Sequence, residues 1–285
     1  PGGAADYVAR TVGDSLGRAL GQTIVIENRA GAGSSIAAEA ASKAAPDGYT
    51  LLIASPSSIS VNPALNPKLN YSAKDLSPIT KVTSSPLVIA ASMQSGITSV
   101  SDLIAKAKKA PGSLNYATSG NGSAPHLGAA LFSRVAGVQM VHIPFKGGSP
   151  AIQSVIAGDT QLTFGTPPSV LPMVQAGRLK GLGVSTKERT PLFPDLPGMT
   201  EAGLPDYAIE FWYGFFVPAN TPQAIVKKIF DATQVAMQQP SVKAALAREG
   251  TEVSVSASPE AFASFLTEDA KFWVKLVKEA GVKGE

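Results

Sequence analysis

The chain holds two histidines, His126 and His142, and no cysteine. Thiolate chemistry is therefore absent, and any nucleophile must find its base at one of two places. Thr118, Ser119 and Ser123 lie close to His126, so a Ser–His pair is one reading, although no Gly-x-Ser-x-Gly elbow accompanies it. The other reading is structural, because a lone His in the first turn of a helix commonly serves as a hydrogen-bonding group. Metal binding lacks its donors. There is no His-Glu-x-x-His, and two His without a carboxylate cluster make no first coordination sphere. Gly-Lys-Ser/Thr and Gly-x-Gly-x-x-Gly are missing too, so neither common nucleotide cradle is present and no cofactor is expected. Paired carboxylates of the glycosidase kind stay open in principle. The loops where they would sit hold almost no Asp or Glu.

Those loops offer a different chemistry. They are rich in Gly, Ser, Thr and Asn, and each opens a helix. A helix start leaves backbone N–H groups unpaired and carries a partial positive charge of roughly half an elementary unit. It stabilises an anion without Lys or Arg. Four such loops recur: Gly2-Gly3, Thr118-Ser119-Gly120-Asn121-Gly122-Ser123, Gly147-Gly148 and Thr166. Ordinary capping explains any one of them. Four together point to a shared anion site, since strand-end loops converge on a cleft in open α/β sheets. Ser55 and Ser57, just past a buried strand, join the candidates, as does His126. The nearest cation is Lys146, expected either to stiffen the Gly147-Gly148 turn or to sit in solvent. Asp6 either compensates the dipole of its own helix or orients the Gly2-Gly3 loop. In the run Phe211-Trp212-Tyr213, alternation sends Trp212 to one face and its neighbours to the other, which suits a core or a lobe contact better than ligand stacking.

The elements that must position these loops are helices and strands in alternation. Val8, Val12, Leu16 and Leu20 recur on one face of a helix from about Ala4 that Gly21 stops. A strand is expected at Thr23–Glu27, a helix at Ser35–Ala44, and a buried strand at Tyr49–Ala54 after the Pro46-Asp47-Gly48 turn. Residues 55–70, rich in Ser, Pro and Asn, read as loop. Pro86–Ser92 is a strand and Ser101–Ala110 a helix. One theme then appears three times, strand to polar loop to helix, with strands at Leu114–Ala117, Met140–Ile143 and Gln161–Phe164 and helices reaching Ala136, Ala157 and Ala176. Leu179–Val184 and Phe211–Val217 are further strands, separated by a proline-rich loop. Thr221-Pro222 is a strong helix start, with Thr as cap and Pro in the first turn. That helix reaches Gln238, and two more follow near Ser241–Glu249 and Pro259–Ala280. The alternation implies parallel sheets with crossover helices. It also implies one lobe over residues 1–96, a second over 97–216, and a return to the first over 217–285.

Composition agrees. At 285 residues the chain suits two lobes of about 100–150 residues. Hydrophobic residues are 44% and charged residues 16%, which excludes disorder. Aromatics are only 7%, while small residues abound, as suits close-packed α/β layers. A net charge of +3 without a basic stripe argues against nucleic acid as a partner. No apolar stretch approaches the roughly 20 residues of a membrane span. No heptad seam is visible, so a monomer is expected. The opening Pro1-Gly2-Gly3 is a turn signal, and a turn ordinarily follows an element, so a preceding segment is expected.

Pro1-Gly2-Gly3-x-x-Asp6, Pro46-Asp47-Gly48-Tyr49-Thr50-Leu51, Tyr116-Ala117-Thr118-Ser119-Gly120-x-Gly122-Ser123, Pro144-Phe145-Lys146-Gly147-Gly148 and Trp212-x-Gly214 ahead of Pro218-Ala219-x-Thr221-Pro222 occur in this order. Each is weak alone. In combination, over essentially the whole chain, they resemble the Bug-type substrate receptors of tripartite tricarboxylate transporters. The resemblance implies a periplasmic-binding-protein-like α/β fold of two lobes with the ligand in the cleft between them. It further implies a periplasmic receptor, not an enzyme, with a small mono- or dicarboxylate as ligand and an integral-membrane permease as partner. In that family a ligand carboxylate rests on the loops matching Gly2-Gly3 and Thr118–Ser123, often through bridging waters. The family's first strand precedes the Pro-Gly-Gly turn, ahead of this numbering. Several relatives carry an acidic residue at the position of Thr166, so recognition of a ligand amine is not expected here. Two rival readings remain at this point: a hydrolase using Ser119 or Ser123 with His126, and a cytosolic ligand-sensing regulator.

Overall fold

The computed structural model describes residues 3–279. In chain order its elements are α1 (Ala4–Leu20), α2 (Ser35–Ser42), β1 (Leu52–Ala54), α3 (Asn62–Leu65), β2 (Leu76–Pro86), β3 (Val88–Ser92), α4 (Val100–Lys109), β4 (Asn115–Thr118), α5 (Ala124–Ala136), β5 (Val141–Pro144), α6 (Gly148–Ala157), β6 (Leu162–Gly165), α7 (Pro167–Gln175), β7 (Leu179–Val184), β8 (Glu210–Pro218), α8 (Gln223–Gln238), α9 (Pro240–Arg248), β9 (Glu252–Val253) and α10 (Pro259–Glu279). They build two sheets, in the orders β1-β8-β2-β9 and β5-β4-β6-β3-β7.

Periodicity produces α1 as expected. Val8, Val12 and Leu16 are fully buried on one face, each contributing about 1.5–3 kcal/mol by leaving water. Gly21 ends the helix in the left-handed conformation, its N–H donating to Arg18 and Gly17 carbonyls. The buried face meets β2, β8, α8 and α9 in one apolar cluster around Ile79, Val82 and Phe215. On the other face of that sheet, Trp212 and Phe216 pack with Phe262 of α10 and with Ala38 and Ala41 of α2. The second sheet is covered likewise: Leu103, Leu127 and Phe132 of α4 and α5 on one side, Ile152, Val155 and Val170 of α6 and α7 on the other.

Several expectations change. Parallel pairing is confined to β4 with β5 and β4 with β6. The first sheet is antiparallel throughout. Its long central strands explain this: β2 carries the chain out of the sheet and β8 brings it back, so the two neighbours run oppositely. The expected strand Thr23–Glu27 has no regular secondary structure and pairs with no strand among the described residues, and Val25 is 85% exposed. An apolar groove of about 570 Å³, lined by Ile24, Ile26, Leu51 and Ile53 among others, lies along it. Without a partner for its ladder, a segment of β-like composition is not a strand. Residues Ser57–Leu65, read as loop, are helical and mostly buried. Their hydroxyls made them look solvent-facing, whereas small side chains let this segment pack tightly. Thr221 does not cap α8; its hydroxyl donates to Pro218 O at 2.7 Å.

The sheets also change hands earlier than the boundary at 96–97 placed them. Leu87 separates β2 from β3, which already lies in the second sheet, and the return at 216–217 falls inside β8. Helix α10 belongs to both bodies. Phe262 sits under the first sheet, while Trp273, Leu276 and Val277 join the core around Leu87 and Phe132. Glu279 pairs with Arg134 of α5.

Candidate functional site

Between the two sheet bodies lies a cavity of about 610 Å³. Four helices start on it: α1 behind Gly3, α5 behind Ser123, α6 behind Gly147 and α7 behind Thr166. None of these four starts is capped by a side chain. This departs from ordinary capping, where a Ser or Thr at such a position takes an orphan N–H. In α1 the first internal bond runs from Tyr7 N to Gly3 O, so the amides of Ala4 and Ala5 have no acceptor within the helix. In α5 the first is Leu127 N to Ser123 O, which leaves Ala124 in the same position. Helix α7 differs, because Pro167 and Pro168 supply no N–H; what it offers are the hydroxyls of Thr166 and Ser169, 3.3 Å apart.

The lining is otherwise small or apolar: Ala30, Ala32, Phe145, Ala151, Ile152 and Phe211 form walls. Among the described residues Lys146 is the one charged residue that lines it. Lys146 is an exposed residue at the edge of the cavity, so the expectation of a solvated side chain stands beside its place on the lining. The hydroxyls of Ser55 and Ser57 lie on the cavity in residues only 6% and 4% exposed. Among the described residues neither hydroxyl is taken by a protein partner. Oriented main-chain dipoles and hydroxyls suit such a cavity to an anion, and among the described residues no carboxylate lines it.

Of the residues singled out from sequence, Gly3, Ser55, Ser57, Thr118, Ser119, Gly120, Ser123, Gly147, Gly148 and Thr166 line this cavity. Gly2 lies outside the described residues. Asp6 does not reach the cavity; it accepts from Arg10 at 2.9 Å and from Asn28 at 2.8 Å. Asn121, Gly122 and His126 are not on its wall either. Gly122 has φ +68°, and a Cβ there would stand 2.5 Å from Asn62 Oδ1. Its amide donates to His126 Nδ1 at 3.1 Å, away from any ligand. The loop thus spends part of its donors on itself, and Ser123 Oγ gives its proton to Gly120 O at 2.6 Å. These two bonds also leave the Ser–His pair without its contact: the Ser123 proton and His126 Nδ1 are each taken by backbone. Burial, helped by His142, depresses His126 to about 3, which makes it a weak base.

Sequence reading missed three parts of the site. The loop Ala30–Ser34 forms one wall. In it Ala32 and Ser34 hold positive φ of 43° and 76°, strained for residues with a Cβ. Asn62 holds this loop, donating to Gly33 O at 2.8 Å and to Ser35 Oγ at 2.9 Å. Its place in a segment read as loop hid it. From β8, Phe211 and Tyr213 both reach the cavity, while Trp212 turns away and donates to Asp269 at 2.9 Å. The alternation was legible in the sequence; that the Phe211 and Tyr213 face meets the cavity was not.

A two-sheet α/β fold with a cleft walled by uncapped helix starts defines the class of periplasmic binding proteins. The chain belongs to the tripartite tricarboxylate transporter family of receptors, whose family model matches residues 8–282. It is 33% identical over 285 residues to protein BugT of Bordetella pertussis, covering 99% of this chain and 87% of that one. Among solved structures it is similar to Rpa4515 of R. palustris with adipate, at 31% identity and a TM-score of 0.94, covering 99% of this chain and 95% of the other. It is likewise similar to MatC (Rpa3494) of Rhodopseudomonas palustris with bound malate, at 32% identity and a TM-score of 0.90, over 97% and 95%. Among the described residues no helix is long and apolar enough to cross a membrane.

Proposed function

We propose that this chain is a periplasmic receptor that closes its two lobes on a small mono- or dicarboxylate and passes it, chemically unchanged, to an integral-membrane permease. The lobes are the bodies built on β1, β2, β8, β9 and on β3–β7. The observation that carries the reading is the convergence of uncapped helix starts on one cavity that a lysine and, among the described residues, no acid lines. A first carboxylate rests between the starts of α1 and α5, near Gly3, Ser57, Ser119 and Ala124. The start of α6 and Lys146 face it and suit a second anionic group. The bound adipate and malate of the two similar structures are dicarboxylates, which agrees with two poles of this kind. Because Asp and Glu are missing from the described lining, an ammonium group finds no counter-charge, and amino acids are poor ligands.

Calorimetric titration with adipate, malate and an amino-acid analogue of each tests this, together with native mass spectrometry of the purified protein. At least one dicarboxylate binds and the amino acids bind far more weakly. A copurified ligand without a carboxylate, or silence from every carboxylate tried, overturns the reading.

A further inference from the structure

His126 and His142 come from different elements, α5 and β5, yet their rings stack with centroids 3.8 Å apart and planes 15° from parallel. Tyr116 of β4 continues the stack on His142 at 5.2 Å and 21°. None of these rings is among the residues lining the cavity. They lie behind the Thr118–Ser123 loop and grip it at two atoms. Gly122 N–H donates to His126 Nδ1 at 3.1 Å, and His142 Nε2 meets Thr118 Oγ1 at 2.6 Å. Thr118 Oγ1 in turn accepts Gly120 N–H at 3.3 Å.

This geometry has a protonation state. An Nδ1 that accepts a hydrogen bond carries no proton, so the proton of His126 sits on Nε2. Two imidazolium rings face to face would repel strongly in a buried setting. The groups that face the pair are Tyr116 from β4, Thr118 at that strand's end and the loop amides. Burial is the main cause that depresses both rings, and at His126 the charge of His142 adds to it.

We propose that His126 and His142 work as one neutral clamp that sets the ligand-ready shape of the Thr118–Ser123 loop, making both positioning residues for carboxylate binding. The inference rests on the reading of that loop as the carboxylate site. By turning the Gly122 amide back onto α5, the clamp fixes the left-handed turn at Gly122 and so the path by which the chain enters α5. The uncapped first turn then faces the cavity. Burial holds His126 at about 3 and His142 at about 4, so the clamp is closed throughout the neutral range.

Side-chain stereochemistry supplies the test. Asn places an acceptor near where His carries Nδ1, and Gln places a polar group near Nε2. The variants His126→Asn and His142→Gln therefore keep the grip without a ring that titrates, whereas His126→Leu and His142→Leu lose it. With adipate and malate as probes at neutral pH, the Leu variants bind at least roughly tenfold more weakly, and the Asn and Gln variants stay within about threefold of the parent. Two readouts need no ligand. The imidazole nitrogen spectrum of the unliganded protein, with only two His to assign, shows His126 as the Nε2–H form. Amide exchange at Gly122 is protected at neutral pH, is lost in acid toward the value of His126, and persists there in the His126→Asn variant. A His126 protonated on Nδ1, an unprotected Gly122 amide, or Leu variants that bind like the parent overturn the clamp. If neither probe binds the parent protein, the receptor reading fails while the spectrum and the exchange still decide the clamp. If a Leu variant does not fold, the same two measurements on the parent and on the polar variants decide it.

Discussion

The Ser185 hydroxyl accepts the Leu87 N–H at 2.7 Å, at the point where the chain leaves the first sheet for the second. The same hydroxyl donates to Ile209 O at 2.5 Å, just before β8 returns. Backbone bonds run alongside, from Ser185 N to Leu87 O at 2.9 Å and from Ile209 N to Ser185 O at 3.0 Å. One fully buried serine therefore ties both crossings together. Ser185→Ala leaves Leu87 N–H and Ile209 O without that partner in a dry site, and lowers unfolding stability by about 1–3 kcal/mol. Denaturant unfolding measures this. A loss below about 0.5 kcal/mol shows that the tie is dispensable.

The cavity is lined from both bodies, so a dicarboxylate held there favours the closed arrangement in proportion to its extra affinity for it. Small-angle scattering with saturating adipate or malate gives a smaller radius of gyration than the unliganded protein. An unchanged radius with a ligand known to be bound rules closure out.

Main chain and side chain make unequal contributions at the anion site. Gly122→Val forces a branched residue into φ +68° and sets its Cβ against Asn62, 2.5 Å from Oδ1. It destabilises the protein by about 1–3 kcal/mol and weakens dicarboxylate binding sharply. Lys146→Ala removes a single ammonium from the cavity wall and weakens binding by only about 1 kcal/mol, more at low salt than at high. Titrations of both variants rank the two effects. Loss of all binding in Lys146→Ala with little change in Gly122→Val would reverse the assignment.

Acid acts on the fold through the two imidazoles. Both are depressed by burial, to about 3 and about 4, from an ordinary value of 6.5. Above 6.5 neither state is protonated and their contribution to stability is fully present. As pH falls from 6.5 toward 4, the unfolded chain takes up protons that the folded chain refuses. Stability then drops, with a slope of at most about 2.7 kcal/mol per pH unit for the pair. Urea unfolding between neutral pH and pH 4.5 shows this slope as the difference between the parent and the doubly substituted His126→Asn, His142→Gln protein. Parallel curves for the two proteins mean that the rings are not buried neutral.

Much of this site was legible in the chain because it is made of main chain. Gly and Ser ahead of a helix mark a local conformation, and local conformation is what spacing reports. Hence Gly3, Thr118, Ser119, Gly120 and Gly147 were found. Asn62, Ala30–Ser34 and His142 were not, because each acts through a partner far away in sequence: Asn62 on Gly33, His142 on Thr118. Gly122 shows the limit within a correctly chosen motif. Its residue type signalled a left-handed turn, but only the fold reveals that its amide points at His126 rather than at the cavity. The segment at Thr23–Glu27 illustrates the converse, since a β-like composition does not provide a neighbour to pair with.

Helix starts that no side chain caps have one more consequence. An anchor assembled from peptide amides is not encoded by any single codon, so substitution reaches it only through residues that set the backbone path, such as Gly122. The walls at Phe145 and Ile152 are made by side chains, whose size and polarity a substitution changes directly. Such a receptor can exchange one cargo for another by reshaping its walls while the grip on the shared functional group is inherited intact. A small set of wall substitutions is thus the natural route for redirecting it, in evolution or by design.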